Sequence, residues 1–239
     1  MILVRQLSVV LDHTTILDDI DLGVRPGEIV GLIGPPESGK TVLLKAIAGL
    51  LPAQGETWWH GEALTDAPQR WRARIGFAFQ NDALFDALSV FENVAFPLRR
   101  RGVPESEVDA RVRGRLADVG LAQAAAKPPH AISGGMRKRV GIARASIIEP
   151  AIGLFDDPVA GLDPVTATQI LELIARLTRS LNMATLVVSN DLDLLFPRCH
   201  RVVMLHAGRV VYDGLPAEAR AALDPLVVQF VTGADAGPL

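Results

Sequence analysis

Three short segments of this 239-residue chain carry the groups needed to handle a chain of phosphates. The first is Gly34-Pro35-Pro36-Glu37-Ser38-Gly39-Lys40-Thr41, continuing into Val42. A loop of this pattern, entered from a strand and left through a helix, cradles phosphates with its backbone N–H groups. Its lysine reaches the terminal phosphates and its hydroxyl ligates Mg²⁺. The second segment is Asp156-Asp157-Pro158, closing an apolar run over 151–155. A carboxylate at the C-terminal edge of a strand can hold the same Mg²⁺, and its neighbour can polarise an attacking water. The third is Ser133-Gly134-Gly135-Met136, where Ser133 can cap a helix and the glycines let the helix N-terminus approach an anion. Singly, each has a plain alternative: a glycine-rich turn, a strand-ending turn, an ordinary cap. The first pattern is specific in its strand-to-helix context, and it points to ATP or GTP.

Such segments need rigid elements behind them. Apolar runs over 2–10 and 15–24, around a polar turn at Asp12-His13, read as strands. Residues 28–33 form an apolar strand directly before the loop, and 42–50 have helical composition. From 90 to 126 the pattern is helical and charged, broken by Arg99-Arg100-Arg101 and Pro104. A further helix is expected after Gly135, another over 165–181, and buried strands over 185–189 and 202–205. Strands alternating with helices argue for a largely parallel sheet covered on both faces. Trp58-Trp59 reads as packing of the β-rich start, and the arginine run as a solvated helix end.

Composition narrows the class. The apolar share is 49% and mean hydropathy +0.27, yet no run approaches the roughly 18 apolar residues of a membrane span. Arg5 interrupts the apolar start and no small-residue cleavage site follows, which argues against a secretory leader. A net charge of −3 gives no footprint of a nucleic-acid binder. Cys199 is the only cysteine and the five histidines lack ligand spacing, so neither a disulfide framework nor a histidine–cysteine metal site is expected. The reading is cytoplasmic.

With these three segments in this order and spacing, the chain resembles the ATP-binding subunits of ABC transporters along essentially its whole length. The resemblance implies an α/β P-loop NTPase with a mostly parallel core sheet, an N-terminal antiparallel β subdomain and an inserted helical subdomain. The single domain, 1–239, would divide into a nucleotide-binding core at about 1–84 and 151–239 and a helical part at about 85–150. It implies ATP and Mg²⁺, a head-to-tail dimer holding two nucleotides between subunits, and Ser133, Gly134 and Gly135 acting in trans. Gln80, in Phe77-Ala78-Phe79-Gln80, matches the Gln loop, which senses Mg²⁺ and nucleotide beside the groove for a permease helix. Ala160-Gly161-Leu162-Asp163 matches the loop that communicates across the dimer. Asn190 falls where a switch histidine sits, and Leu11 where an aromatic ring stacks on adenine.

Within that family, Asn81-Asp82-Ala83-Leu84-Phe85, the stretch 90–99, Gly134-Gly135-Met136-Arg137-Lys138-Arg139 and the tail with Gln229-Phe230 and Gly237-Pro238 look like the ATPases of Mla-type phospholipid transporters. That implies a permease, a periplasmic MCE lipid-binding protein, a small STAS-type accessory protein and a place on the inner membrane through the permease. Four positions depart from the family pattern: Asp157 for a catalytic Glu, Asn190 for the histidine, Glu37 for a glycine and Leu11 for an aromatic. Asp157 draws the carboxylate back by one methylene, and misplacements of about 1 Å can lower rates roughly 100-fold. The readings left open are a transport ATPase, a slow or non-hydrolysing nucleotide clamp, the ATPase of a small-solute importer and a non-transport ABC ATPase.

Overall fold

The strand that feeds the phosphate loop, Ile29–Ile33, is buried at every position, as a strand covered on both faces must be. The computed structural model describes residues 1–234 and 237–238. Among them the strands are β1 (Ile2–Leu11), β2 (Thr14–Val24), β3 (Ile29–Ile33), β4 (Gln54–Trp59), β5 (Glu62–Ala63), β6 (Ile75–Ala78), β7 (Ile152–Asp156), β8 (Ala184–Val188), β9 (Arg201–His206) and β10 (Arg209–Gly214). The α-helices are α1 (Lys40–Ile47), α2 (Pro68–Ala73), α3 (Val90–Arg100), α4 (Glu105–Asp118), α5 (Gly134–Ser146), α6 (Pro164–Leu181), α7 (Leu192–Leu195), α8 (Pro216–Ala219) and α9 (Pro225–Thr232).

One sheet has the order β10-β9-β3-β8-β7-β6 and is parallel except where β10 pairs β9. The second, β2-β1-β4-β5, is antiparallel. The two-residue period of a strand sends successive side chains to opposite faces, and here both faces are apolar. Ile29, Ile33, Phe155, Val187 and Met204 join the core contributed by α3 to α6. Val30, Leu32, Leu154, Leu186 and Leu205 join the core under α1 and the antiparallel sheet. Each such side chain contributes about 1.5–3 kcal/mol. Leu32→Ala, at the centre of the second core, would cost about 2–5 kcal/mol.

This architecture is the expected one: a mostly parallel core sheet, an antiparallel N-terminal sheet and a helical insertion. Three details differ from the sequence reading. Helix α1 begins at Lys40 rather than at Val42, so Lys40 and Thr41 belong to its first turn. Helix α5 begins at Gly134, so both glycines lie inside the helix. Strands β6 and β10 carried no clear signal, because β6 is four residues long with a glycine and β10 alternates weakly.

Parallel order has a direct consequence for chemistry. Strands β3, β8 and β7 run side by side in the register Leu32 to Val188 to Asp156, and β6 follows with Ala78 beside Phe155. Their C-terminal ends therefore open at one edge of the sheet, the place where ligands bind open α/β sheets. Gly34, Asn190, Asp157 and Gln80 all leave the sheet at that edge.

Candidate nucleotide site

The phosphate loop is held against the sheet by its two glycines. Gly34 has φ of +141°, and a Cβ there would overlap the Leu205 carbonyl oxygen; Gly39 has φ of +101°, and a Cβ would sit 2.6 Å from Leu17 Cδ2. Any other residue at either position forces the loop off β9 or β2. Gly39 is also the N-cap of α1 and offers no side-chain cap, so the orphan N–H groups of the first turn are left for an anion.

Lys40 threads the inside of the loop. Its ammonium donates to the carbonyl oxygens of Gly34 and Pro35, both at 2.7 Å, and to Ser38 Oγ at 3.3 Å. Burial pushes its pKa down, and the carboxylates of Asp157 and then Asp156 push it back up. Ser38 is buried, whereas Pro36 and Glu37 are exposed at the tip. Glu37 takes the left-handed conformation, φ +62°, which accounts for the glycine usual at this place.

Thr41 Oγ1 donates to Asp156 Oδ1 at 2.9 Å. Asp156 ends β7, nearly buried at 3% exposure. Burial raises its pKa, against the Thr41 hydrogen bond and the charges of Lys45, Lys40 and Lys138. A hydroxyl and a buried carboxylate side by side, beside a phosphate cradle, are hard oxygen donors of the kind Mg²⁺ takes, so the residues fit that ion.

Asp157 follows with φ of +43°. Aspartate tolerates the left-handed region better than longer side chains do, which gives a backbone reason for Asp at this position. Its pKa is raised by burial first and by the Asp156 charge second. The next loop turns tightly: the Ala160 amide donates to the Asp157 carbonyl at 3.2 Å, and Asp163 caps α6 by accepting from the Thr166 amide at 2.9 Å. Asn190 is exposed, just beyond β8.

Leu11 ends β1 half-buried, and with Val42 it packs against the second core. Ser133 caps α5 by accepting from the Met136 amide at 3.3 Å. A Cβ on Gly134 or Gly135 would meet Arg137, Leu162 or Thr166, none of them in the loop 34–39. The fold thus gathers Lys40, Thr41, Asp156 and Asp157 into one centre, while the contacts given for Ser133, Gly134 and Gly135 lie outside the phosphate loop.

Sequence reasoning missed what surrounds Gln80. This residue is exposed, but its carbonyl accepts from Lys138 Nζ, and Lys138 lies 3.2 Å from Asp82 Oδ1. Arg144 donates to the carbonyls of Asp82 and Ala83, each at 2.7 Å, and its guanidinium carbon lies 5.8 Å from the Phe85 ring centre. The only signal for these contacts is the basic spacing of α5, which by itself reads as a solvated face. Beside them opens a groove of about 430 Å³ whose lining includes Phe77, Phe79, Phe85, Phe96 and Ile148. Phe85 and Phe96 meet at 4.8 Å between ring centres and remain 43% and 39% exposed.

The family model described as ABC transporter matches residues 17–160. The intermembrane phospholipid transport system ATP-binding protein MlaF of Haemophilus influenzae is 37% identical over 100% of this chain and 93% of its own length. The methionine import ATP-binding protein MetN of Carboxydothermus hydrogenoformans is 37% identical over 90% of this chain, which spans only 66% of that protein. Among solved structures, a dimeric ATP-binding cassette in a post-hydrolysis state with ADP and Pi superposes with a TM-score of 0.82. It is 27% identical and covers 90% of this chain and 99% of its own.

Proposed function

This chain belongs to the ABC transporter family as an ATP-binding, ATP-hydrolysing subunit, and we propose that it energises an inner-membrane transporter of phospholipid or another hydrophobic substrate. The observation that carries the substrate class is end-to-end similarity to the phospholipid-transport relative, over 100% of this chain and 93% of that one. The importer relative extends well beyond the match, and its equal identity keeps a small-solute importer as the second reading.

In the proposed cycle, the loop amides, Ser38 and Lys40 bind the phosphates, with Lys40 exchanging the Gly34 and Pro35 carbonyls for phosphate oxygens. Thr41 and Asp156, with Gln80, would hold Mg²⁺, which when bound neutralises charge developing on the phosphates. Asp157 orients and polarises the attacking water, with Asn190 as a further hydrogen-bonding partner. Ser133, Gly134 and Gly135 close on the nucleotide of a second copy of the chain in a head-to-tail dimer. Leu11 supplies apolar contact to the base without ring stacking.

Asp157 and Asn190 modify the same hydrolytic centre, which keeps a slow nucleotide clamp as an alternative reading; steady-state phosphate release of about 1 per second or more by the assembled transporter would sink it. The Phe85–Phe96 groove receives a helix of the permease, and through the permease the subunit sits on the inner membrane. No helix among the described residues is long and apolar enough to cross a membrane. An MCE lipid-binding protein and a STAS-type subunit complete the assembly.

Copurification of the transporter from its own membranes, with mass spectrometry of the bound lipid, tests this reading. Phospholipid recovered in stoichiometric amount with the permease supports it. A complex that carries no lipid and responds to a soluble amino acid or anion with faster phosphate release overturns it.

A further inference from the structure

Lys138 is only 9% exposed, and lysines are rarely that buried unless their charge is matched. Here the direct contacts of the ammonium are with Gln80 and the segment that follows it. The ammonium donates to the Gln80 carbonyl and stands 3.2 Å from Asp82 Oδ1, with Arg137 at 3.9 Å from the other oxygen of the same carboxylate. A methionine would fill the same space without the desolvation penalty of a charge, so core packing alone does not explain a lysine.

What the lysine holds is a strained turn. Asp82 and Ala83 are consecutive non-glycine residues with φ of +59° and +46°, a conformation that persists only where the surroundings enforce it. Arg144 of α5 holds it through both carbonyls, and Lys138 of the same helix through the carboxylate. Beyond the turn, buried Asn93 accepts from the Phe85 amide at 2.8 Å and donates to the Phe85 carbonyl at 3.1 Å. The turn is therefore pinned at both ends, and its charged contacts near Gln80, from Lys138, Arg137 and Arg144, all come from α5.

We propose that Lys138 is a positioning residue for ATP hydrolysis: it locks the Gln80 segment to α5, so that closure of Ser133-Gly134-Gly135 on a partner's nucleotide is transmitted to Gln80 of the same chain. The proposal rests on the roles assigned above to Gln80 and to the first turn of α5. Lys138 lies five residues from Ser133 along one continuous helix, about 7.5 Å of axis, too short a distance for a rigid helix to absorb a displacement. Its charge also reaches Asp156 and Asp157 and favours their ionised forms. One ammonium thus contacts the Gln80 carbonyl and the Asp82 carboxylate, and its charge acts on the carboxylate pair of the hydrolytic centre.

The test compares Lys138→Met and Lys138→Arg in the full-length chain. Hydrogen exchange is followed at amides 80–85, together with the Kd of a non-hydrolysable ATP analogue with Mg²⁺, the Tm, and phosphate release by the assembled transporter. Lys138→Met is expected to raise exchange at 80–85 and to lower kcat, each by about tenfold or more, the order of a lost charge-assisted hydrogen bond. Kd should stay within about threefold and Tm within about 4 °C. Lys138→Arg should restore both loop protection and kcat. Unchanged exchange at 80–85 overturns the proposal, as does a kcat loss matched by an equal loss of nucleotide affinity and stability. Should Lys138→Met fail to fold, Asp82→Asn removes the carboxylate half of the clamp and must shift exchange and kcat in the same directions. Gln80→Ala separates the two layers of the argument. A fully active Gln80→Ala sinks the role given to Gln80, whereas a fully active Lys138→Met beside a crippled Gln80→Ala sinks only the clamp.

Discussion

Thr41 Oγ1 donates to Asp156 Oδ1 at 2.9 Å across 115 residues of sequence, joining the first turn of α1 to the last residue of β7. The contact sets the distance between the phosphate loop and the sheet edge, and its two oxygens are the donors assigned to Mg²⁺. Thr41→Val keeps the side-chain shape and removes the hydroxyl. It is expected to weaken Mg²⁺-dependent nucleotide binding by about tenfold, the range of one lost hydrogen bond to a charged partner, and to leave Mg²⁺-free binding nearly unchanged. Titration of a fluorescent ATP analogue with and without Mg²⁺ reads the difference.

Glu37 is exposed at the loop tip with φ of +62°. Glu37→Gly removes left-handed strain of about 1–2 kcal/mol and returns about 0.4–1 kcal/mol of that as unfolded-chain entropy. The net gain should raise Tm by a few degrees in a chain of this size. The same change takes a negative charge away from bound phosphates, so nucleotide affinity should rise about two- to fivefold at low salt. The gain should shrink as salt is added. Calorimetry and binding at two ionic strengths check both halves; affinity that is insensitive to salt would mean that the Glu37 carboxylate does not act on the phosphates.

The phosphate loop was legible because chemistry forces its groups into eight consecutive residues, and the strands around it because burial on both faces makes them continuously apolar. Ser133 was legible as a cap for a local reason too, since it bonds an amide only three residues away. The Lys138–Asp82 contact was not. It joins residues 56 apart in sequence, and a basic α5 reads as a solvated face until the fold lays it along the Gln80 turn. The left-handed backbones of Glu37, Asp82 and Asp157 were hidden for another reason. Aspartate tolerates positive φ but does not require it, glutamate does so less, and surrounding contacts rather than local preference decide where it occurs. Burial of Asp157, and with it the raised pKa, follows from where β7 ends in the sheet, which no window of sequence contains.

Burial pushes the pKa values of Asp156 and Asp157 upward, so the nucleotide-free fold binds these protons more tightly than the unfolded chain does. A raised folded pKa contributes stability that is complete below the unfolded value near 3.9 and is lost as pH rises through the folded one. Asp157→Asn removes this dependence at one site. The Tm of the variant relative to the parent should therefore climb without nucleotide as pH rises above the unfolded value of about 3.9, and thermal scans over a pH series would expose a flat difference if it were absent. With ATP and Mg²⁺, the same variant lacks the group that polarises water, and phosphate release should fall by about 100-fold or more. It should then accumulate as an ATP-bound dimer; size-exclusion chromatography that finds only monomer would refute the assigned role.

Phe85 and Phe96 lie 4.8 Å apart between ring centres and are both substantially exposed, an apolar pair that a lone subunit gains nothing by presenting to water. In the proposed permease groove they would act as anchors, and truncating a buried aromatic anchor commonly costs an interface 2 kcal/mol or more, about 30-fold in affinity. Phe96→Asp leaves the phosphate loop and the Lys138 clamp untouched. It is therefore expected to bind the ATP analogue like the parent while losing copurification with the permease and transport in cells. Phe85→Ala should behave similarly but also loosen the Asp82–Ala83 turn, because Arg144 packs against the Phe85 ring while holding those carbonyls. Exchange at amides 80–85 should rise in Phe85→Ala and not in Phe96→Asp. That contrast separates a surface that merely docks from one that also reports docking to the hydrolytic centre: equal exchange in the two variants would leave Arg144 without a part in the relay.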